Sequence, residues 1–454
     1  MKRNIRIAAG QGFWGDLQRA PADQVRSGPV DYLVMDYLAE VTMSILRKQK
    51  QKDPSMGYAR DFVSVIESIL PDIVEKNITV IANAGGVNPL GCRKAVEEVI
   101  RKAGYKNLPV AVVHGDDILD RIGELTGTGE ELKNMETGES FSAVKDRLLA
   151  ANVYFGAFPI VDALKAGARI VITGRSTDTG LTLAPMIHEF GWKADDWDRL
   201  AAGTVAGHIL ECGAQASGGN FLGDWRSVPG MERIGFPIAE AYPDGTVVIT
   251  KHESLGGLVS QMTVKEQLLY EIGDPTQYIT PDVVADFTTI QLSDDGPDRV
   301  RVSGVKGKQN TPFYKVSAAY SDGWFSGSTL VYTWPEAFEK AKRAGEILKA
   351  RLDALGFRFD QYNAEYIGAN ACHQHLASHV DDYPEVMLRV TVRGHDLKSM
   401  NGFGMEIAPL ILTGPPAVTG FAGGRPKPSE VVAYWPALIR KTSVKPVVDV
   451  EVVK

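Results

Sequence analysis

Five short apolar runs recur in the first half of the chain, at residues 5–9, 32–37, 78–82, 109–114 and 168–173, and each stops in polar or glycine-rich sequence. The tails read GQGFWGD, DYLAE, NAGGVNP, HGDD and TGRSTDTG. Stretches with apolar residues at helical spacing lie between them, at 60–75, 92–103 and 142–166, and another at 195–215 runs into SGGNF. Strand alternating with helix predicts an α/β fold with a mostly parallel sheet flanked by helices. In an open parallel sheet, ligands bind in the crevice outside the carboxyl ends of the strands. The five tails are therefore expected to face one site.

From about residue 229 the texture changes. Turn signals become frequent, and alternating runs at 246–251, 287–292, 299–305 and 313–319 predict a mostly antiparallel, β-rich region. The remainder reads as strand 328–333, helix 336–355, strands 361–367 and 386–393, helix 397–412 and strand 447–452. That alternation is the order of a ferredoxin-like α+β sandwich. The segment GPPAVTGFAGGRPKPSE before the last strand is dense in Pro and Gly and predicts a loop. The expected organisation is an α/β main domain at 1–228, its β-rich continuation at 229–327 and a ferredoxin-like domain at 328–454.

With 454 residues, 44% of them apolar, the chain can bury a large core. A net charge of −7 leaves no basic stripe to track a phosphate backbone, which argues against nucleic acid as a partner. The first apolar run stops at Gly10, too short for a signal-peptide core, and no run approaches membrane-spanning length. Three cysteines, Cys92, Cys212 and Cys372, are odd in number and far apart, as in a reducing compartment. A cytoplasmic protein without membrane attachment is expected, acting on a small molecule and self-associating into a homo-oligomer.

The strand tails carry the candidate chemistry. Gly10, Gly12 and Gly15 follow the first run as G-x-G-x-x-G, with Asp36 about twenty residues further on, the spacing of a dinucleotide fingerprint. Bulky Trp14, acidic Asp16 and helix-breaking Pro21 fit that use poorly, and a glycine loop shaping another pocket is the preferred reading. In GRSTDTG, Ser176, Thr177 or Asp178 can cap the helix that follows, and Gly174, Arg175 and Ser176 can form an anion site; an ordinary capped turn is the alternative. In NAGGVNP, Asn83 and Asn88 can hydrogen-bond a carbonyl, and Gly85 and Gly86 permit close backbone approach, unless the segment is simply a turn. Asp116 and Asp117 either position a substrate, bind a cation or cap the next helix. Further along, His208 and Glu211 share a helical face, which suits an acid–base pair, a pair of metal ligands or a packed histidine. Cys212 reads as a small buried hydrophobe. In KHESLGG, His252 or Glu253 can act as a general base, though neighbours on a strand point opposite ways. Cys372, His373, His375 and His379 have the look of zinc spacing but lack a matching cluster, and no metal is assigned.

Taken in order, GQGFWGD, VDYLVMDYLAE, NAGGVNPLGC, VITGRSTDTGLTLAPMIHEFGW, AGTVAGHILECGAQASGGNF, KHESLGGLVSQMTVKEQLLYEIGDPTQYITPDV and EIAPLILTGPPAVTGFAGGRP resemble the acyclic terpene utilisation A family. The resemblance runs over residues 4–453, and its specificity lies in the order and number of the blocks. It implies an α/β main domain followed by a small ferredoxin-like domain, and a place in the breakdown of branched acyl compounds beside acyl-CoA enzymes. It supplies no reaction, and the histidine cluster matches none of its blocks.

Residues and resemblance together predict a catabolic lyase, hydratase or hydrolase acting on a small or branched acyl-CoA or related carboxylate. The expected catalytic residues are Asp16, Asn83, Asp116, Asp178, His252 and Glu253, with Asn83 and backbone N–H groups at a developing oxyanion. Gly10, Gly12, Gly15, Gly85, Gly86, Asn88, Gly174, Arg175 and Ser176 form the expected binding set. No cofactor is assigned; a CoA thioester is a candidate substrate. The alternatives are an NAD-linked oxidoreductase and a non-catalytic subunit of an acyl-CoA enzyme.

Overall fold

The computed structural model of the chain describes residues 4–378, 380–420 and 424–454. It divides into two compact units, one running to Ala319 and completed by Tyr434–Lys454, the other Tyr320–Ala433.

In the larger unit the early apolar runs become β1 (Ile5–Gln11), β2 (Tyr32–Met35), β3 (Thr79–Ala82), β4 (Leu108–His114) and, after β5 (Leu148–Val153), β6 (Ile170–Thr173). All but β5 are parallel neighbours in the order β1-β2-β3-β6-β4. Side chains alternate across a strand, so each strand feeds two cores. Tyr32 and Val34 face one, with helices Phe158–Lys165, Gly180–Phe190 and Trp197–Leu210; Leu33 and Met35 face the other, with Arg60–Glu75 and Pro89–Lys102. Burial on both faces explains why these runs are continuously apolar.

The β-rich stretch extends this sheet on the β1 side through Ile238–Ala241, Val247–Thr250, Val300–Ser303 and Gln291–Asp294, all antiparallel. On the far edge Val447–Val453 pairs antiparallel with β4. That strand was expected to close the C-terminal sandwich. In its place Ser429–Arg440, inside and beyond the expected loop, pairs with Phe313–Thr333. Pro436 within it disguises it as a non-strand, because proline cannot donate to a ladder.

The helix expected at 142–166 is also different. Residues 148–153 form β5, which pairs with Phe313–Thr333, and the helix starts at Phe158 with Pro159 in its first turn. Proline there lacks only an N–H that the helix does not need, but it stops the helix from extending backwards.

In the smaller unit, Gln361–Ile367, Glu385–Gly394 and the part of strand Phe313–Thr333 from Trp324 onward are antiparallel neighbours in that order. Leu348 from helix Ala337–Ala354 and Phe403 from Leu397–Ile407 pack with Leu388 and Val390 in its core. No described helix is long and apolar enough to cross a membrane.

Candidate active site

The tails of β1, β2 and β6 and the ends of helices Trp197–Leu210 and Gln261–Leu269 bound a cleft of about 520 Å3 in the larger unit. Two glycines let these elements approach. A Cβ on Gly12 would lie 2.4 Å from the Gly213 backbone nitrogen, and one on Gly207 would lie 2.5 Å from the Thr179 carbonyl oxygen. The second contact seats the helix end on the β6 tail and brings Glu211 into the field of Asp178.

The cleft is acidic. Among the described residues, Asp16, Asp36, Glu40, Asp178, Glu211 and Glu271 line it against a single cation, Arg175. Arg175 is 2% exposed; its Nη1 donates to Asp178 Oδ1 at 2.6 Å, and its guanidinium lies 4.2 Å from the centre of the Tyr154 ring. Tyr154 Oη donates to Glu40 at 2.5 Å. Burial works to raise the Glu40 carboxyl, but Arg175 and the Tyr154 hydroxyl outweigh it and hold it below the usual range.

Asp36 is pushed the other way. Burial first, then the charge of Asp178, raise its carboxyl well above the usual range, against Arg175 and the Asn83 amide. Burial thus favours the protonated form of Asp36. Glu211 lies 2.7 Å from His208 Nδ1. Burial raises Glu211, the imidazole opposes this, and the charges of Asp178 and Glu271 add to the rise. For His208 burial acts downward, but Glu211 and the Gln267 carbonyl prevail and raise it. The two groups form a close ion-pair contact beside the carboxyl groups of Asp178 and Glu271.

Of the expected residues, the β1 and β6 tails bring Asp16, Gly12, Arg175 and Asp178 to the cleft. Asp16 accepts from the N–H groups of Gly12 at 2.9 Å and Leu17 at 2.6 Å. The following helix begins only at Ala20, so the glycine loop offers no helix N-terminus on which a pyrophosphate would rest. Gly10 lies within β1, and Gly15 occupies the turn.

Asn83 and Asp116 sit behind the lining. Asn83 is fully buried; its Oδ1 accepts from Tyr37 N at 2.6 Å and its Nδ2 donates to Asp36 at 2.6 Å. It orients Asp36, and its acceptor and one donor are already engaged in doing so. Asp116 Oδ2 accepts from Arg175 N at 2.8 Å and from Asn152 Nδ2 at 2.9 Å. A Cβ on Gly174 would lie 2.1 Å from the other Asp116 oxygen. Asp117 pairs with Arg47 at 3.0 Å. Ser176 is buried against Thr173, 3.3 Å away. Gly180 N and Leu181 N donate to Thr177 O and Asp178 O, and no side chain caps that helix, so the expected anion site at its start is filled by its own backbone.

Asn88 caps helix Pro89–Lys102 through Gly91 N at 3.2 Å, and Gly85 and Gly86 pack against Thr173 and Leu46. His252 is buried with its Nε2 2.9 Å from Gln24 O, and beside exposed Glu253 it lines a different cavity with Arg6 and Arg299. Exposed His373 and His375 belong to the smaller unit; His379 lies outside the described residues. No set of three or more described His, Cys, Asp or Glu side chains is arranged to hold a metal ion.

Glu40, Glu271 and Tyr154 were not singled out from the sequence. Glu40 ends the DYLAE tail and was within reach of the strand-tail rule; Glu271 and Tyr154 come from elements whose place no local pattern encodes. The described lining contains no Ser, Thr or His, and burial followed by the Glu211 charge pushes its one thiol, Cys212, up to about 12. Carboxyl groups shifted in opposite directions by their surroundings are therefore the chemistry this cleft offers.

A family model described as acyclic terpene utilisation family protein AtuA matches residues 5–450. No curated protein matches the chain. No solved structure does either.

Proposed function

We propose, from the premise that this chain belongs to the acyclic terpene utilisation AtuA family and shares its catabolic role, that the cleft performs acid–base chemistry of lyase or hydratase type on a branched acyl thioester. The observation that carries this is the pairing, in one cleft, of a buried carboxyl whose protonated form burial favours, Asp36, with a second carboxyl, Glu211, that lies 2.7 Å from the His208 imidazole. Adding or removing water across a carbon–carbon bond needs one group to give a proton and another to take one. Cleavage through a seryl, threonyl or cysteinyl acyl intermediate is disfavoured, because the described lining holds no Ser or Thr and burial keeps its thiol in the neutral form.

The acidic lining favours a thioester over a free acid. A free carboxylate entering the cleft would meet Asp16, Asp178, Glu211 and Glu271. A thioester presents a neutral carbonyl and leaves its phosphates outside. Three free cysteines support a reducing, cytoplasmic setting, and the sheet order of the smaller unit supports a ferredoxin-like reading of it.

The test is turnover of branched 2-enoyl and 3-hydroxyacyl thioesters by the purified protein, followed at the enoyl absorbance. Asp36→Asn and Glu211→Gln should each lower kcat by about 100-fold or more, with KM changed only a few-fold. Wild-type rates in both variants, or no turnover of either substrate type, would overturn the proposal.

A further inference from the structure

Two helix ends meet behind the cleft wall. A helix C-terminus leaves its last carbonyl groups without intrahelical donors, and here each end supplies the other. The His208 carbonyl, in the last turn of Trp197–Leu210, accepts from Gln267 Nε2 at 2.7 Å. The Gln267 carbonyl, in the last turn of Gln261–Leu269, lies 3.0 Å from His208 Nε2. A carbonyl oxygen only accepts, so Nε2 carries a hydrogen, and Nδ1 is the ring nitrogen left to face Glu211. Gln267 is in turn held in place: its Oε1 accepts from Gln215 Nε2 at 3.0 Å, and Gln215 Oε1 accepts from Asn220 Nδ2 at 3.1 Å. Both His208 and Gln267 are 1% exposed, so no bulk water substitutes for these bonds.

We infer that Gln267 is a positioning residue for the acid–base pair: by holding His208 at its carbonyl and at Nε2, it fixes one imidazole tautomer and confines the exchangeable proton to the Nδ1–Glu211 contact. The groups that face the imidazole are consistent with this. Glu211 lies on its own helix end and Glu271 just past the second helix, while the rings of Tyr278 and Phe287 close the remaining sides at 5.5 and 5.3 Å. The negative end of a helix also favours a cationic imidazole. The inference rests on the reading of Glu211 as a cleft acid–base group.

The test is nitrogen NMR of the full chain labelled at histidine, without substrate, from about pH 5 to about pH 9. In the wild type, Nε2 of His208 should stay protonated throughout while Nδ1 alone titrates. Gln267→Met keeps the side-chain length and the backbone carbonyl, but removes the amide that ties the His208 carbonyl to the second helix end, so the Gln267 carbonyl is no longer held against Nε2. It should give both ring nitrogens the averaged shifts of mixed tautomers and lower the His208 midpoint by about one pH unit. Wild-type nitrogen shifts in a folded Gln267→Met would overturn the inference. Should that variant not fold, Gln215→Met, which removes the donor that holds the Gln267 side chain and so loosens the helix contacts, decides: partial tautomer mixing supports the inference and unchanged shifts overturn it. Because the readout needs no thioester, failure of the turnover assay and failure of the tautomer assay are separate results.

Discussion

Asp116 illustrates how a strand-tail acid can shape a site without reaching it. Burial pushes its carboxyl to about 6, while Arg175 N and Asn152 pull the other way. In the unfolded chain an Asp titrates near ~3.9, so the folded state holds this proton more tightly. Its contribution to stability is complete below about pH 4 and is lost as pH rises through about 6. Asp116→Asn keeps an oxygen for both donors and abolishes the titration. Between about pH 4 and about pH 7 the variant should therefore lose roughly 2–3 kcal/mol less stability than the wild type. Urea unfolding at the two pH values measures this, and equal losses would show that the carboxyl does not titrate in that window. Asp282, also buried and raised to about 6, acts in the same direction and is untouched by the substitution. Gly174→Ala attacks the same contact sterically, since its Cβ would meet Asp116 Oδ1 at 2.1 Å. A loss of about 1–3 kcal/mol in a thermal melt is expected.

Elements come to the cleft through close helix approaches, and one of these can be tested against an internal control. Gly207→Val would drive helix Trp197–Leu210 away from the Thr179 carbonyl, costing about 1–3 kcal/mol and moving Glu211 out of place. Gly123, in helix Ile122–Gly127, has open space around it, so Gly123→Ala should stabilise by about 0.4–1 kcal/mol. Thermal melts of the two variants should move in opposite directions; a shared sign would contradict the packing described. Elements were also where the sequence was most legible. The parallel strands and helix Arg60–Glu75 fall where apolar spacing puts them, because burial on one or both faces writes itself into local pattern. β5 and Ser429–Arg440 did not stand out: each owes its strand form to Phe313–Thr333, a partner distant in sequence. The site was legible to the same depth. Strand tails led to Asp16, Arg175 and Asp178, but nothing local told which tail residues face inward, so Asn83 and Asp116 were read as reactive groups although they are buried behind the lining.

At the scale of the molecule, charge decides how a substrate arrives. The chain carries a net charge of −7, and six of its acidic side chains gather in the described cleft lining around one guanidinium. A polyanionic CoA thioester approaching such a surface is repelled over a distance set by ionic strength, and salt shortens that distance. The value of kcat/KM for a CoA thioester should therefore rise about 2- to 5-fold between ~10 mM and ~200 mM salt. The same acyl group on neutral N-acetylcysteamine has no charge to repel and should show a flat profile. Glu271→Gln, which removes an exposed carboxylate from the cleft edge, should reduce the salt dependence for the CoA ester without changing the neutral one. A kcat/KM for the CoA thioester that falls with salt would mean that a basic surface draws the phosphates in. In that case the thioester would be positioned by attraction from its phosphate end, and the acidity of the cleft would not be what selects it over the free acid.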